Sequence, residues 1–206
     1  MASALQQTHT PIEVIVVDDG SNEVTKNVLK TLEPKITKLI TQENKGQSAA
    51  RNVGISEAKG DYLLMLDSDD YFEPTFCEKA FEKFQNNPTT KLVTCYANLI
   101  SENETVSIYR PKGGDIHNFM FLNNALGTSM FRKEDWKSCG GYDESMREGF
   151  EDWEFFIRLL KKGGNTEVLE EPLYTYRKRR DSTTARANRV RTKILKYLLY
   201  NNITEY

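Results

Sequence analysis

The chain is poor in cysteine and has no long apolar run, and each shortage removes a class of function. Its three cysteines, Cys77, Cys95 and Cys139, form no CxxC pair and no Cys/His cluster. That excludes a disulfide scaffold and a thiolate metal site, and reads as reduced thiols in a cytoplasmic protein. Apolar runs end at five or six residues, as in Tyr62–Leu66, far short of the roughly 20 that a membrane span needs. The opening MASALQQTHT has neither a basic start nor an apolar core, so it does not read as a signal peptide. Twelve glycines and six prolines are too few for a collagen-like or low-complexity chain. With 38% hydrophobic and 28% charged residues over 206 positions, the composition is that of one folded domain with a proper core.

A net charge of −2 conceals an asymmetry. Residues 177–206 carry nine Lys or Arg against Asp181 and Glu205, a local charge of +7, while the rest of the chain sums to −9. A basic end on an acidic body suits an anionic ligand or surface, or simply a solvated helix.

Along the first half, short apolar runs alternate with helical periodicity. Strands are expected at Ile12–Val17, Ile36–Ile40, Tyr62–Leu66 and Leu92–Tyr96. Helices are expected over Asn22–Leu32, Gly46–Ala58 and from Pro74 to Phe84. This rhythm predicts an α/β protein with a mostly parallel sheet and helices on both faces. The second half is less regular. Residues 97–126 read as polar connections, Gly127–Phe131 as a strand, and Lys133–Cys139 as a short helix stopped by Gly140. Glu151–Lys162 reads as a helix, Thr166–Leu169 and Leu173–Tyr176 as strands, and Ser182–Tyr200 as a basic amphipathic helix with a Val190/Ile194/Leu198 stripe.

In an open parallel sheet, ligands bind beyond the carboxyl ends of the strands. Asp18-Asp19 and Asp67-Ser68-Asp69-Asp70 both follow apolar strands, so right-handed crossovers bring them to one edge. Gathered carboxylates repel, and a hard divalent cation, Mn²⁺ or Mg²⁺, relieves the repulsion. Strand ends and helix caps explain Asp18-Asp19 equally well, whereas three acids in four positions exceed what capping needs. An EF-hand is excluded by the missing sixth-position glycine and twelfth-position glutamate. Glu151-Asp152 opens an apolar helix, where a carboxylate is held ionised and rigid, as a general base requires; a plain N-cap is the alternative. Lys45 and Arg51 flank a glycine-started helix, and Arg177, Arg179 and Arg180 follow a strand. Either group could meet phosphate or merely face water.

Taken together, VDDGS (17–21), NKGQSAARNVGI (44–55), LDSDD (66–70), GTSMFRKEDW (127–136), GGYDE (140–144), FEDWEF (150–155) and LYTYR (173–177) resemble a family 2 glycosyltransferase of the GT-A fold. The resemblance implies a nucleotide-binding half (1–96), an acceptor and catalytic half (97–180) and a C-terminal helix (181–206). It implies that Asp19, with Asp18 beside it, reads the uracil of a UDP-sugar. Asp67 would meet the ribose or the metal shell, and Asp69 would hold the metal on the diphosphate. Lys45, Arg51, Arg177 and Arg179 would line the nucleotide-sugar pocket. Asp152 would be the catalytic base, with Gly127, Thr128, Ser129 and Glu151 on the acceptor side. The implied reaction is inverting transfer to a glycan or lipid-linked acceptor in cell-surface polysaccharide synthesis. It would take place in the cytoplasm, with the basic helix able to lie on the inner membrane face, and no nucleic-acid partner is expected.

Two departures qualify this reading. Arg179 stands where many relatives have a histidine ligand, and an arginine cannot coordinate a cation. The chain also begins inside the family's first helix, without the strand before it, so weak stability and weak activity are expected. A nucleotide-sugar-binding remnant is the alternative. A haloacid-dehalogenase-like phosphatase fits poorly, because it expects Thr or Val where this chain has Tyr71.

Overall fold

The computed structural model describes residues 1–101, 104–178, 187–189 and 191–203. Two apolar strands, β1 (Ile15–Asp19) and β2 (Lys38–Gln42), lie parallel as a two-stranded sheet. A second sheet contains β3 (Tyr62–Leu64), β4 (Tyr71–Phe72), β5 (Thr90–Ser101), β6 (Glu104–Tyr109), β7 (Met130–Arg132) and β8 (Asn165–Arg177). Its order is β3-β7-β5-β8-β4, with β6 paired to β5. Alternation along these strands assigns their faces. Leu63, Leu92 and Phe131 enter one apolar cluster, while Leu64, Val93 and Met130 enter the other. That period of two is what a strand covered on both faces requires.

The helices are α1 (Ala2–Leu5), α2 (Glu23–Leu32), α3 (Gln47–Glu57), α4 (Phe76–Asn86), α5 (Ile116–Phe119), α6 (Lys133–Cys139), α7 (Glu151–Lys161) and α8 (Arg191–Ile203). On one face, α3 and α7 supply Ile55, Trp153, Phe155, Phe156 and Leu160. On the other, α4 supplies Phe76, Ala80 and Phe84. A fully buried side chain of this kind stabilises by roughly 1.5–3 kcal/mol, so these helices anchor the sheet.

The α/β class holds, but the expected mostly parallel sheet is mixed. Among the described residues, β5–β8 is the one parallel pairing in the larger sheet. The reason is β7, which enters between β3 and β5 and runs antiparallel to both. Residues 97–126 are also more ordered than their polarity predicts: they complete β5 and form β6 and α5. The two strands expected at 166–176 are one, β8, whose register shifts opposite Pro172, where the ladder lacks an N–H donor.

The C-terminal helix turns its apolar stripe inward. Ala187, Ile194 and Leu198 are buried in the cluster that holds α7, while Val190 lies outside the described residues. All three cysteines are free. Burial pushes the Cys77 and Cys95 thiols up to about 12, which leaves them unreactive packing groups.

Candidate active site

The two acidic clusters meet at the N-terminus of α3. Gly46, its N-cap, donates its backbone N–H to Asp19 Oδ2 at 2.8 Å, and Gln47 donates Nε2 to Asp67 Oδ1 at 3.1 Å. Adjacent residues of one helix start thus join carboxylates that follow different strands. Asp19 also accepts from the Lys45 N–H at 2.8 Å and from Gln42 Nε2 at 2.7 Å. Burial raises its pKa, but these donors, helped by Arg147, outweigh burial and hold it below the ordinary carboxylate value. Both Asp19 oxygens are therefore engaged in shaping the 42–46 turn. Asp18 differs: Oδ1 accepts from the Ser21 N–H at 3.0 Å, while Oδ2 is buried with no partner. An orphaned buried acceptor is costly unless a ligand satisfies it.

In the second cluster, Asp70 is structural. It is buried, accepting the Tyr174 hydroxyl at 2.5 Å and the Arg177 N–H at 2.8 Å. Burial carries its pKa upward against these two donors. Asp67 and Asp69 stay partly exposed. Arg51 joins this cluster to the helix that bears Asp152, contacting Asp67 at 3.2 Å and Glu151 at 2.7 Å. Its side chain is only 9% exposed, and its guanidinium lies 5.4 Å from the Tyr142 ring centroid. The expected diphosphate ligand is thus a strut between two carboxylates.

Asp152 sits in the first turn of α7. That helix starts at Phe150, a non-glycine residue in the left-handed region with φ 63°. The Asp152 carboxylate accepts the Trp153 N–H at 2.8 Å and the Asn123 Nδ2 amide at 3.1 Å. Burial, then the neighbouring Glu151, carries its pKa up to about 6, against the downward pull of Arg51. Gly127 makes the position possible, since a β-carbon there would lie 2.6 Å from Asp152 Oδ2. A carboxylate that is half-buried, held from two sides and poised to titrate near neutrality suits proton abstraction.

Other expected residues have different places. Thr128 and Ser129 are buried, and the Ser129 hydroxyl donates to the Leu126 carbonyl at 2.6 Å. Both are packed inside the fold and do not line an exposed surface. Lys45 and Arg177 are exposed at the rim, and Arg179 lies outside the described residues. Two participants carried no sequence signal of their own, Asn123 on Asp152 and Arg147 over Gly46, while Tyr142, beside Arg51, lies in the GGYDE run, which implies no role for it. Asn52 fastens the loop after α6 by donating to the Tyr142 carbonyl and to Glu144, both at 2.9 Å, and by accepting Trp136 Nε1 at 3.1 Å. On the far side, Trp153 Nε1 donates to the Phe119 carbonyl at 2.7 Å.

The family described as glycosyl transferase family 2 matches residues 1–143, and the N-terminal domain of galactosyltransferase matches residues 108–182. An uncharacterized glycosyltransferase of Haemophilus influenzae is 32% identical over 180 residues, which is 84% of this chain and 60% of the relative. A chondroitin synthase of Escherichia coli is 29% identical over 171 residues, covering 78% of this chain and 24% of that protein. The chain therefore spans only part of the length of these relatives. The crystal structure of S. aureus TarS 1–349 in complex with UDP-GlcNAc superposes with a TM-score of 0.76 at 18% identity, over 98% of this chain and 62% of that one. This likeness identifies the curled mixed sheet and its helices as the GT-A fold. With the family match extending over most of its length, the chain belongs to glycosyl transferase family 2.

Proposed function

We propose that this chain carries the donor site and base of an inverting glycosyltransferase. It would move a sugar from a UDP-sugar to a hydroxyl of a glycan or lipid-linked acceptor in cell-surface polysaccharide synthesis. The observation that carries the reading is Asp152, a half-buried carboxylate with its pKa raised to about 6, joined through Glu151 and Arg51 to the acidic cluster at Asp67. Asp152 accepts the proton of the acceptor hydroxyl as that oxygen attacks the anomeric carbon from the face opposite the departing diphosphate. Asn123 and the Trp153 N–H hold the carboxylate in line. Asp18 Oδ2, buried and unpartnered, is a better acceptor for the uracil N3–H than Asp19, whose oxygens are filled.

Among the described residues no three carboxylates, histidines or cysteines gather into a metal cage. Two partly exposed carboxylates, Asp67 and Asp69, suit Mn²⁺ or Mg²⁺, hard ions that take one or two protein oxygens and complete their shell with phosphate and water. Such an ion supplies charge stabilisation of the leaving diphosphate. The cytoplasm is the compartment this chemistry fits, and the exposed Lys193 and Lys196 of α8 could meet an anionic membrane face. A second reading, donor binding without turnover, is favoured by one observation: among the described residues β1 and β2 pair only with each other, so there the nucleotide half has no ladder bonds to the main sheet.

Calorimetric titration of UDP with and without Mn²⁺, using Asp69→Asn as control, tests the donor site. Metal-dependent binding lost in the variant is expected. A folded chain that binds no UDP would overturn the proposal. Binding without transfer from any UDP-sugar would select the second reading.

A further inference from the structure

The loop between α6 and α7 is pinned on both sides of one residue. Before it, Glu144 accepts from Asn52 at 2.9 Å, and Asp143 accepts the Tyr197 hydroxyl at 2.6 Å. After it, Glu148 accepts Lys193 Nζ at 3.0 Å. That residue is Arg147, which is exposed and makes no salt bridge among the described residues, its charge acting on Asp19 without direct contact. It does not trail into solvent. A β-carbon on Gly46 would lie 3.8 Å from Arg147 Cγ and 3.9 Å from Nε, so the side chain crosses the chain from the loop before the base to the helix start beside the donor carboxylates.

Gly46 lies between the two ends of the proposed donor site. Its own N–H is bound to Asp19, and the next residue is bound to Asp67. The site around it is rich in carboxylate, yet Asp19 is already satisfied by three neutral donors. A cation that acts on Asp19 only at a distance keeps its N–H donors for an anion entering between the clusters. We infer that Arg147 binds a phosphate group of the nucleoside diphosphate, reaching over Gly46 from the loop that leads into Asp152. The inference rests on the donor reading above and deepens it. Guanidinium recognises phosphate oxygens through paired N–H donors, and Gly46, with φ 94° and no side chain, leaves room for that approach.

The inference is tested by titrating UDP and uridine into the whole chain and its Arg147→Ala and Arg147→Lys variants, with Mn²⁺ present. Arg147→Ala should weaken UDP by about tenfold, the size of one charge-assisted contact, and leave uridine within about twofold. Arg147→Lys should recover part of the loss. Equal melting temperatures for the variants and wild type establish that the fold is intact. Wild-type binding with an unaltered Arg147→Ala variant would overturn this inference alone, and so would an equal loss for uridine. A wild-type chain that binds no UDP would overturn the donor reading and this inference with it.

Discussion

Helices α2 and α7 are similar in length and differ in almost everything else. Eight of the eleven residues of α7 are buried, including Trp153, Phe155 and Phe156, whereas none of the ten residues of α2 is buried. Asp152, the proposed base, therefore stands on a mostly buried helix, while the proposed nucleotide half rests on β1, β2 and the contacts of α3. Under the proposed reading, a rigid base with a looser donor rim is a reasonable division of labour. Proton abstraction depends on fractions of an ångström, but a nucleotide must enter and leave, and regions with few buried contacts open more readily.

The comparison is broken most severely at the base. Asp152→Asn should lower the transfer rate by about 10²–10⁴-fold, measured with a UDP-sugar and an acceptor. It should also stabilise the fold. The folded pKa of about 6 lies above the ordinary 3.8, so the stability that this carboxyl confers when protonated, below about pH 4, is lost as pH rises through about 6. The amide avoids that loss and should gain on the order of 2 kcal/mol at pH 8 in urea unfolding. For the same reason, wild-type kcat/KM should fall as pH drops through about 6, with no such limb in binding of UDP. A variant that is both slower and less stable at pH 8 would show that Asp152 is a structural cap.

Next in size is the strut between the two halves. Arg51→Met leaves Glu151 and Asp67 without their cation, and breaking a buried pair from one side costs about 3–5 kcal/mol. Chemical denaturation should register that loss together with weaker UDP binding. If stability falls and UDP binding is untouched, the halves are less coupled than the geometry indicates. The last comparison separates the helices themselves, and its α2 arm is the smallest effect. Phe156→Ala should lose about 3–5 kcal/mol, while Val24→Ser with Val28→Ser, both exposed on α2, should change stability by only about 0.5 kcal/mol. A comparable loss in the two cases would mean that the α2 face is covered in solution.

Local chemistry was the legible part of this chain. Helix α6 runs over Lys133–Cys139 as its stop at Gly140 implies, and α3 starts at Gly46. The acidic ends of β1 and β3 announced the site. What periodicity could not reveal was who partners whom. Arg51 and Glu151 are 100 positions apart, so a basic residue flanking a glycine-started helix read as a phosphate ligand. Asp70 looked like its acidic neighbours, yet Tyr174, 104 positions away, removes it from the cluster. The mixed sheet was hidden for a related reason: the three residues of β7 carry no mark of strand direction, and only their insertion between β3 and β5 reverses the order.

The two tryptophans have an optical consequence. They are the only ones in the sequence, and each indole N–H is fixed to a segment that frames the site: Trp136 to Asn52 of α3, Trp153 to the carbonyl of Phe119. One therefore watches the Asn52 segment of α3 and the other the Phe119 segment beside α7, from within the folded chain. Their combined emission is a built-in, label-free signal for each side of the cleft, and replacing either indole with phenylalanine would tell the two channels apart.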